Sequence, residues 1–431
     1  MQQKQERVEY SKCWNNFQFL EQNSILFENQ FGFRSKHSTE HALINLSEEI
    51  RKNIDKGKFS CGVFIDLRKA FDTVDHEILL HKLNHYGIRG ISNTWFRSYL
   101  ENREQFVFVE GCESSKRYIN HGVPQGSVLG PLLFILYIND LPNALKNCIA
   151  NLFADDTCLL SSDNNLQLLE AKVNNDLSNL SSWLKANKIS LNEDKTEVLL
   201  FRSRNKTIAY NMKLTLNGFD LNFSTHVRYL GLQLDEHLAW NFHFDALAKK
   251  LRRANGILSK LRYFIPMSVL RSIYFALFHS HMSYAAIVWG QGLNHNSRIF
   301  KLQRRCIRIM NFSDFNADTQ PLFTVSNIPY LPEFIFACNI KLVHQTLNKL
   351  TPTSIQNTLE YKTLTHYYST RNRDLKILER PKAKTLNYGL KSIQYQSLLN
   401  WNQLLLQTKT ELTSLSLFLL HRKTREYLQN L

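Results

Sequence analysis

The stretch NLFADDTCLL, residues 151–160, places Asp155 and Asp156 side by side in an otherwise apolar run. The apolar flanks predict that this stretch folds as a strand, a turn and a second strand. Two adjacent carboxylates between buried strands repel each other, and partial loss of hydration increases the cost. A solvated turn is the commoner explanation of a lone Asp-Asp pair, but its flanks should then be polar. The apolar flanks therefore favour a site at which a cation balances the two charges.

A third acid, Asp66, ends another apolar run, CGVFIDL at residues 61–67. This run is rich in β-forming residues and predicts a buried strand. Because a buried carboxylate without a partner is costly, we expect this strand to lie beside the 151–160 hairpin in one sheet. Three aspartates around two Mg²⁺ ions about 3.5–4 Å apart can hold the attacking and leaving oxygens of a phosphoryl transfer. This pattern indicates a polymerase or a nuclease.

In the rest of the first half of the chain, segments with the hydrophobic spacing of helices alternate with segments that have the spacing of strands, which predicts an α+β domain. Helices are expected from Ser38 or Thr39 to near Gly57, in two segments within 78–100, through 132–136 and over 166–184. Strands are expected at 105–109, 116–120, 197–201, 214–216 and 227–234.

Composition points to a polyanionic partner. The 431 residues include 53 Lys and Arg against 37 Asp and Glu, which gives a net charge of +16. Such a balance favours nucleic acid or an acidic membrane surface. No apolar run approaches the ~20 residues that span a bilayer, so a soluble protein without a membrane partner is expected. The seven cysteines are scattered singly, which predicts an intracellular location in the nucleus, the cytoplasm or both.

Five motifs occur in order along the chain. They are FIDLRKAFDTV (64–74), HGVPQGSVLGPLLF (121–134), LFADDT (152–157), ISLNEDKTEVLLF (189–201) and YLGLQLD (229–235). Together they resemble the reverse transcriptase of non-LTR (LINE-type) retrotransposons, and QFGFRSKHST (30–39) looks like a motif of its fingers. The closing YSTRNRDL, NWNQLL and LHRKTREYL resemble the tail of jockey-like and chicken-repeat-like elements.

The resemblance covers about residue 30 to the last residue and implies a right-hand polymerase. Its palm would be an antiparallel sheet with packed helices. The implied segments are an N-terminal extension or remnant of fingers (1–29), partial fingers and palm (30–238), a basic helical thumb (239–310) and a C-terminal helical tail (311–431). The implied activity is RNA-directed DNA polymerisation from dNTPs, with an RNA template and a DNA primer, or an RNA–DNA hybrid, as partners.

The resemblance also implies a metal site. Asp66, Asp155 and Asp156, with the carbonyl of Leu67, would bind two Mg²⁺ ions, for which Mn²⁺ is a substitute. Lys195 would protonate or neutralise the departing pyrophosphate. An exposed lysine before a strand is the simpler alternative for Lys195.

The resemblance also implies residues that bind and select the incoming nucleotide. Phe71 matches a steric gate that clashes with a ribose 2′-hydroxyl, although a core Phe on a helix after the strand explains it as well. Gln125 and Gly126 match residues beside the incoming nucleotide. Without the family, HGVPQGS is a turn in which Ser127 caps a helix.

Nucleic-acid contacts are implied by the basic residues. Residues 246–310 contain twelve Lys and Arg and no Asp or Glu, which predicts a helical domain that binds phosphates without sequence preference. The residues expected on this surface are Lys249, Lys250, Arg252, Arg253, Lys260 and Arg262. A nuclear-import signal in KKLRR is the alternative. Arg34 would contact template or phosphate, or else stack on Phe31 or Phe33.

The chain departs from the family at its beginning. No NYRPISLL-like segment precedes Gln30, and neither an upstream endonuclease domain nor a CCHC knuckle is found, which predicts a 5′-truncated reading frame. A catalytically silent nucleic-acid-binding remnant is therefore the alternative function, and a magnesium nuclease using the same acids is a third.

Overall fold

The computed structural model describes residues 18–124, 126–293, 297–360 and 378–404. They form two compact units. Unit 1 contains the described residues of Met1–Ala42 and Lys58–Tyr229, and unit 2 those of Leu43–Gly57 and Leu230–Leu431. The predicted boundary at 238/239 lies nine residues after Tyr229, the last residue of unit 1.

The strands of the described chain are mostly short. In chain order they are β1 (Phe59–Ile65), β2 (Arg103–Gln105), β3 (Phe108–Val109), β4 (Cys112–Glu113), β5 (Arg117–Ile119), β6 (Ile149–Phe153), β7 (Asp156–Asp163), β8 (Glu197–Phe201), β9 (Thr215–Leu216), β10 (Phe219–Asp220), β11 (Asn222–Phe223), β12 (His226–Tyr229) and β13 (Leu232–Asp235).

The helices fall in both units. They are α1 (Thr39–Asp55), α2 (His76–His85), α3 (Ile91–Leu100), α4 (Gly130–Tyr137), α5 (Leu166–Ala186), α6 (Asn241–Leu261), α7 (Met267–Ile273), α8 (Ser280–Ser283), α9 (Ala286–Trp289), α10 (Arg298–Met310), α11 (Gln320–Val325), α12 (Leu331–Leu347), α13 (Thr353–Leu359) and α14 (Ile393–Gln403). Short 3₁₀ turns cover Leu141–Ala144 and Glu193–Lys195, and π-helical turns cover Tyr274–His279 and Leu386–Leu390.

A five-stranded sheet is the centre of unit 1. Its order is β11, β8, β1, β7 and β6, and only the β11–β8 pair is parallel. Every residue of β1 is buried, which explains its continuous apolar sequence. The register runs from the pair Phe59 and Asp163 to the pair Ile65 and Thr157. The end of β1 and the start of β7 therefore lie side by side.

Two helices of unit 1 bury most of their apolar surface. Helix α4 is buried at nearly every position, and α5 buries the residues Leu166, Leu169, Val173, Leu177, Leu180 and Leu184 at spacings of three and four. Asp176 on α5 is fully buried, and its carboxylate accepts hydrogen bonds from the backbone N–H groups of residues 146–148. These bonds fix the chain where it enters β6.

Several predicted elements of unit 1 are confirmed with small shifts, and others are interrupted. The strand expected at 197–201 is β8, and the one expected at 61–67 begins and ends two residues earlier as β1. The strands expected at 105–109 and 227–234 are each broken. In the second, the backbone turns at Leu230 and Gly231, whose φ angles are 43° and 82°. Alternating hydrophobicity does not reveal such a turn.

Unit 2 is helical apart from β13. Its helices α12 and α14 pack around a core that includes Ile340, Val343, Leu398 and Trp401. Helix α6 packs against α10, where the side-chain amide of Asn255 donates to the carbonyl of Leu302 at 3.1 Å. None of the described helices combines the length and the apolar character that crossing a membrane would need.

Candidate active site

The paired aspartates lie at the turn of a β-hairpin. Strands β6 and β7 pair antiparallel up to Phe153 and Asp156, so Ala154 and Asp155 form a two-residue turn. Ala154 has a φ of 53°, a left-handed conformation that is unusual for alanine. The predicted strand, turn and strand over 151–160 is confirmed, and both aspartate side chains are exposed.

The segment before α1 holds this turn in place. The Oε1 atom of Gln30 accepts hydrogen bonds from the backbone N–H groups of Ala154 at 3.0 Å and of Gly32 at 2.8 Å. Gln30 is 1 % exposed, and its backbone forms an isolated parallel β-bridge with Leu152. Gly32 lies so close to the turn that a Cβ atom there would be 2.5 Å from the nitrogen of Ala154. Both residues belong to the motif at 30–39, but no role was predicted for either.

Asp66 follows β1 directly and lies at the same edge of the sheet. Since Ile65 pairs with Thr157, continuing the antiparallel register brings Asp66 opposite Asp156. The side-chain amide of Asn192 donates to Oδ2 of Asp66 at 2.7 Å, and the backbone N–H of Asn192 donates to the Asp66 carbonyl at 2.9 Å. Leu67 is buried and forms a bridge with Leu191. Asn192 is a second positioning residue for which no role was predicted, although the ISLNEDK motif contains it.

The three carboxylates interact electrostatically. Although Asp156 keeps an exposed surface, the protein around its carboxylate reduces hydration and raises its pKa, and the negative charges of Asp155 and Asp66 raise it further. A cation among these side chains would relieve the repulsion, and carboxylate oxygens are the ligands that Mg²⁺ prefers.

The three aspartates do not form a complete metal-binding site by themselves. Within the described ranges, no group of three or more His, Cys, Asp or Glu side chains is arranged to hold a metal ion by itself. Mg²⁺ usually takes one or two carboxylates together with substrate phosphates, so the donor chemistry of the three aspartates fits this ion.

Phe71 lies in a turn between β1 and α2 and is half-buried, whereas the alternative interpretation placed it on a helix. Its ring stacks on that of Phe134, with centroids 4.5 Å apart, and meets the edge of the Phe33 ring at 6.4 Å. The ring therefore packs on the core of unit 1 and also keeps an exposed part. The role of steric gate stays a prediction.

The HGVPQGS motif runs beside the Phe71 turn. Val123 donates its N–H to the carbonyl of Phe71 at 2.9 Å, and Gly122 donates to Val74 at 2.7 Å. Gly126 is exposed and has a φ of 80°, a conformation that favours glycine. Gln125 lies outside the described residues. Ser127 accepts through Oγ from the N–H of Gly130, the first residue of α4.

Lys195 and Arg34 have different surroundings. Lys195 is exposed and ends the short 3₁₀ turn that follows Asn192, so either predicted role is open to it. The Arg34 side chain is 8 % exposed and makes a two-point ion pair with Glu21, with both distances at 2.8 Å. Its Nη1 donates to the carbonyl of Phe27 at 2.7 Å. Arg34 thus holds its own segment together, and the predicted template contact stays a prediction.

Helix α6 of unit 2 carries most of the predicted phosphate-binding residues. Its apolar side is buried through Leu247, Leu251 and Leu258. The exposed side carries Lys249, Lys250, Arg252, Arg253 and Lys260. Spacings of four and seven place Lys249, Arg253 and Lys260 in one row along the helix.

Arg262, also predicted to contact phosphates, has internal partners, and its predicted role stays a prediction. Arg262 is half-buried, and its Nη1 donates to the carbonyl of Ile309 at 3.2 Å. The guanidinium also lies 4.7 Å from the ring centre of Tyr263 and 4.9 Å from that of Phe312. These contacts join the end of α6 to the end of α10, so Arg262 has a packing role.

Comparison with known proteins adds independent information. Residues 10–234 match the family model described as reverse transcriptase (RNA-dependent DNA polymerase). The chain is 30 % identical over 325 residues to the probable RNA-directed DNA polymerase from transposon BS of Drosophila melanogaster, which covers 69 % of this chain and 34 % of that protein. It is 27 % identical over 323 residues to the RNA-directed DNA polymerase from mobile element jockey of Drosophila funebris, with coverage of 71 % and 34 %.

Among solved structures, telomerase from Candida albicans in complex with a TWJ fragment of telomeric RNA matches with a TM-score of 0.41 and 13 % identity. That match covers 72 % of this chain and 55 % of the telomerase chain. The chain spans about one third of the length of the two Drosophila relatives.

Proposed function

This chain belongs to the reverse transcriptase (RNA-dependent DNA polymerase) family, and from that premise we propose that it extends a DNA primer on an RNA template. The observation that carries the proposal is the meeting of Asp66 with the Asp155–Asp156 hairpin at one edge of the sheet. The reaction would join the α-phosphorus of a dNTP to the primer 3′-hydroxyl and release pyrophosphate. The named relatives make retrotransposon reverse transcription the proposed setting.

The family generally works with divalent metal ions, and here two Mg²⁺ ions would be held by Asp66, Asp155, Asp156 and the carbonyl of Leu67. Bound there, such ions supply activation of the primer hydroxyl and neutralisation of the triphosphate charge. Mn²⁺ would substitute for them. The residues of the chain would supply mainly positioning and electrostatic preorganisation.

The positioning would come from two sets of hydrogen bonds. Asn192 would keep the Asp66 carboxylate facing the reacting phosphate, and Gln30 would hold the turn that presents the other two acids. Phe71, Gln125 and Gly126 would line the nucleotide site. Lys195 would give its proton to the departing pyrophosphate.

The exposed basic row of α6 would hold the template–primer duplex through its phosphates. Such contacts are independent of sequence and weaken as salt rises. An A-form hybrid is bound through its shape and backbone, which suits a row of cationic side chains. We also propose an intracellular site of action, in the nucleus, the cytoplasm or both.

Primer extension tests the proposal. Incorporation of labelled dNTP on an RNA template is compared between wild type and Asp155→Asn. Asp220→Asn is the matched control, because Asp220 is exposed in β10, which belongs to a separate two-stranded sheet. We expect Asp155→Asn to lose about 10²-fold or more of the rate, the scale of one preorganised charge. The control should keep wild-type activity. Equal incorporation by wild type and Asp155→Asn would show that these aspartates are not the catalytic carboxylates.

Two other outcomes identify the alternative functions. Salt-sensitive hybrid binding without any extension would make the chain a nucleic-acid-binding remnant. Degradation of labelled template without synthesis would make it a nuclease.

A further inference from the structure

A cavity of about 260 Å³ opens in unit 2, between the C-terminal half of α1 and the segment 381–394. Five side chains at its wall are cationic: Arg51, Lys52, Lys56, Lys382 and Lys384. The four lysines are exposed at its rim, whereas Arg51 is 4 % exposed. None of these residues takes part in the proposed polymerase site.

The two carboxylates at the wall are already occupied by backbone N–H groups. Glu48 is buried and accepts from Ile393 at 2.8 Å and from Gln394 at 2.9 Å, at the start of α14. Asp55 accepts from the N–H groups of Lys384 and Thr385 and from the Thr385 hydroxyl. Among the described residues, none of the four lysines makes an ion pair, so the cavity keeps an excess of positive charge.

Arg51 is the buried donor of this cavity. Its Nη1 donates to the carbonyl of Asn387 at 3.1 Å, but its Nε is buried and has no hydrogen-bond acceptor among the described residues. A buried N–H without an acceptor is unfavourable, and guanidinium donors match phosphate oxygens in geometry and charge. Burial also lowers the pKa of Arg51, and the charge of Glu48 opposes this shift only in part, so an anion in the cavity would stabilise the guanidinium further.

We propose that this cavity is a binding site for a phosphate group, with Arg51 as the buried donor and Lys382 and Lys384 as the cations at its mouth. The volume exceeds that of a single phosphate and approaches the lower limit for small-molecule sites. It therefore suits a phosphate carried on a nucleotide of a bound strand, or free pyrophosphate. The two ligands share the same chemistry, and the inference does not depend on polymerase activity.

The first arm of the test measures pyrophosphate binding by calorimetry on the full chain. Wild type is compared with Arg51→Gln and with the double variant Lys382→Gln/Lys384→Gln. Lys349→Gln serves as the matched control, because this exposed lysine of unit 2 does not line the cavity. If Arg51→Gln fails to fold, the double variant still decides, since its side chains are exposed.

The second arm measures the anisotropy of a short fluorescent single-stranded RNA with the same proteins. An affinity loss of about tenfold in the double variant, for either ligand, is expected from the loss of charged contacts, with Lys349→Gln unchanged. Loss confined to pyrophosphate identifies a free phosphate as the ligand, and loss of RNA affinity identifies a strand phosphate. Unchanged binding of both ligands by the double variant, or failure of wild type to bind either, overturns the proposal.

Discussion

Replacing Gly32 by alanine is expected to slow the proposed polymerase reaction about 10²-fold, while the protein loses about 1–3 kcal/mol of stability. The new Cβ would lie 2.5 Å from the backbone nitrogen of Ala154 and 3.1 Å from the carbonyl carbon of Phe153. Both neighbours are backbone atoms, so no flexible side chain can move aside. The hairpin that carries Asp155 and Asp156 must therefore shift.

The size of the shift follows from the distances. Ordinary van der Waals contact with a Cβ begins at 3.4 Å, so the 2.5 Å approach requires about 0.9 Å of movement. Overpacking of this kind costs about 1–3 kcal/mol of stability. A displacement of about 1 Å at reacting groups costs about 10²-fold in rate, or about 2.7 kcal/mol of transition-state stabilisation.

The assay combines two measurements. Single-nucleotide primer extension gives kcat, and urea unfolding gives the free energy of unfolding. Ser35→Ala, at an exposed position of the same loop, is the control and should match wild type in both. Wild-type turnover by Gly32→Ala would refute the reasoning, because the aspartates would then tolerate a displaced turn.

Three further predictions concern the carboxylates and the basic helix. Asn192→Ala should lower kcat about tenfold and raise the Mg²⁺ concentration needed for half-maximal activity, since hydrogen-bond partners of metal ligands typically contribute about 10–100-fold. Asp156→Asn should abolish extension but raise stability in EDTA at neutral pH. In the wild type, the Asp156 carboxyl group binds its proton more tightly in the folded state than in the unfolded chain. Wild-type stability therefore falls as pH rises through the raised pKa of Asp156. Replacing the basic row by glutamine should weaken hybrid binding and reduce the salt slope by about 0.9 for each lost phosphate contact; the row is Lys249, Arg253 and Lys260.

Specific results would contradict the first two predictions, and a control variant accompanies the third. An unchanged Mg²⁺ requirement in Asn192→Ala would show that its bond does not orient Asp66. For Asp156→Asn, the stability gain should disappear below the ordinary pKa of 3.8, and a gain that persists there would have another cause. Arg262→Gln should lower the free energy of unfolding and leave the salt slope unchanged, because this side chain packs against α10.

Periodicity and adjacent residue types were enough to predict four of the five strands of the main sheet and the aspartate hairpin, whereas β11 was not predicted. Strand β8 was predicted at its observed bounds, and the apolar flanks of Asp155 and Asp156 indicated a hairpin between buried strands. The meeting of Asp66 with this hairpin was also expected, because a buried carboxylate without a partner or metal is costly. These features depend on patterns within a few residues.

Only the tertiary structure decided which side chains are available for chemistry. The acceptor of the Asn192 amide is Asp66, 126 residues away in the chain, and the close neighbour of Gly32 is Ala154. Arg34 and Arg262 have the chemistry of phosphate-binding residues, yet the fold gives their guanidinium groups internal partners. Charge and spacing specify what a side chain can bind, whereas long-range packing determines which acceptors reach it first. The sequence alone therefore determines the kind of site, and the three-dimensional contacts determine which residues build it.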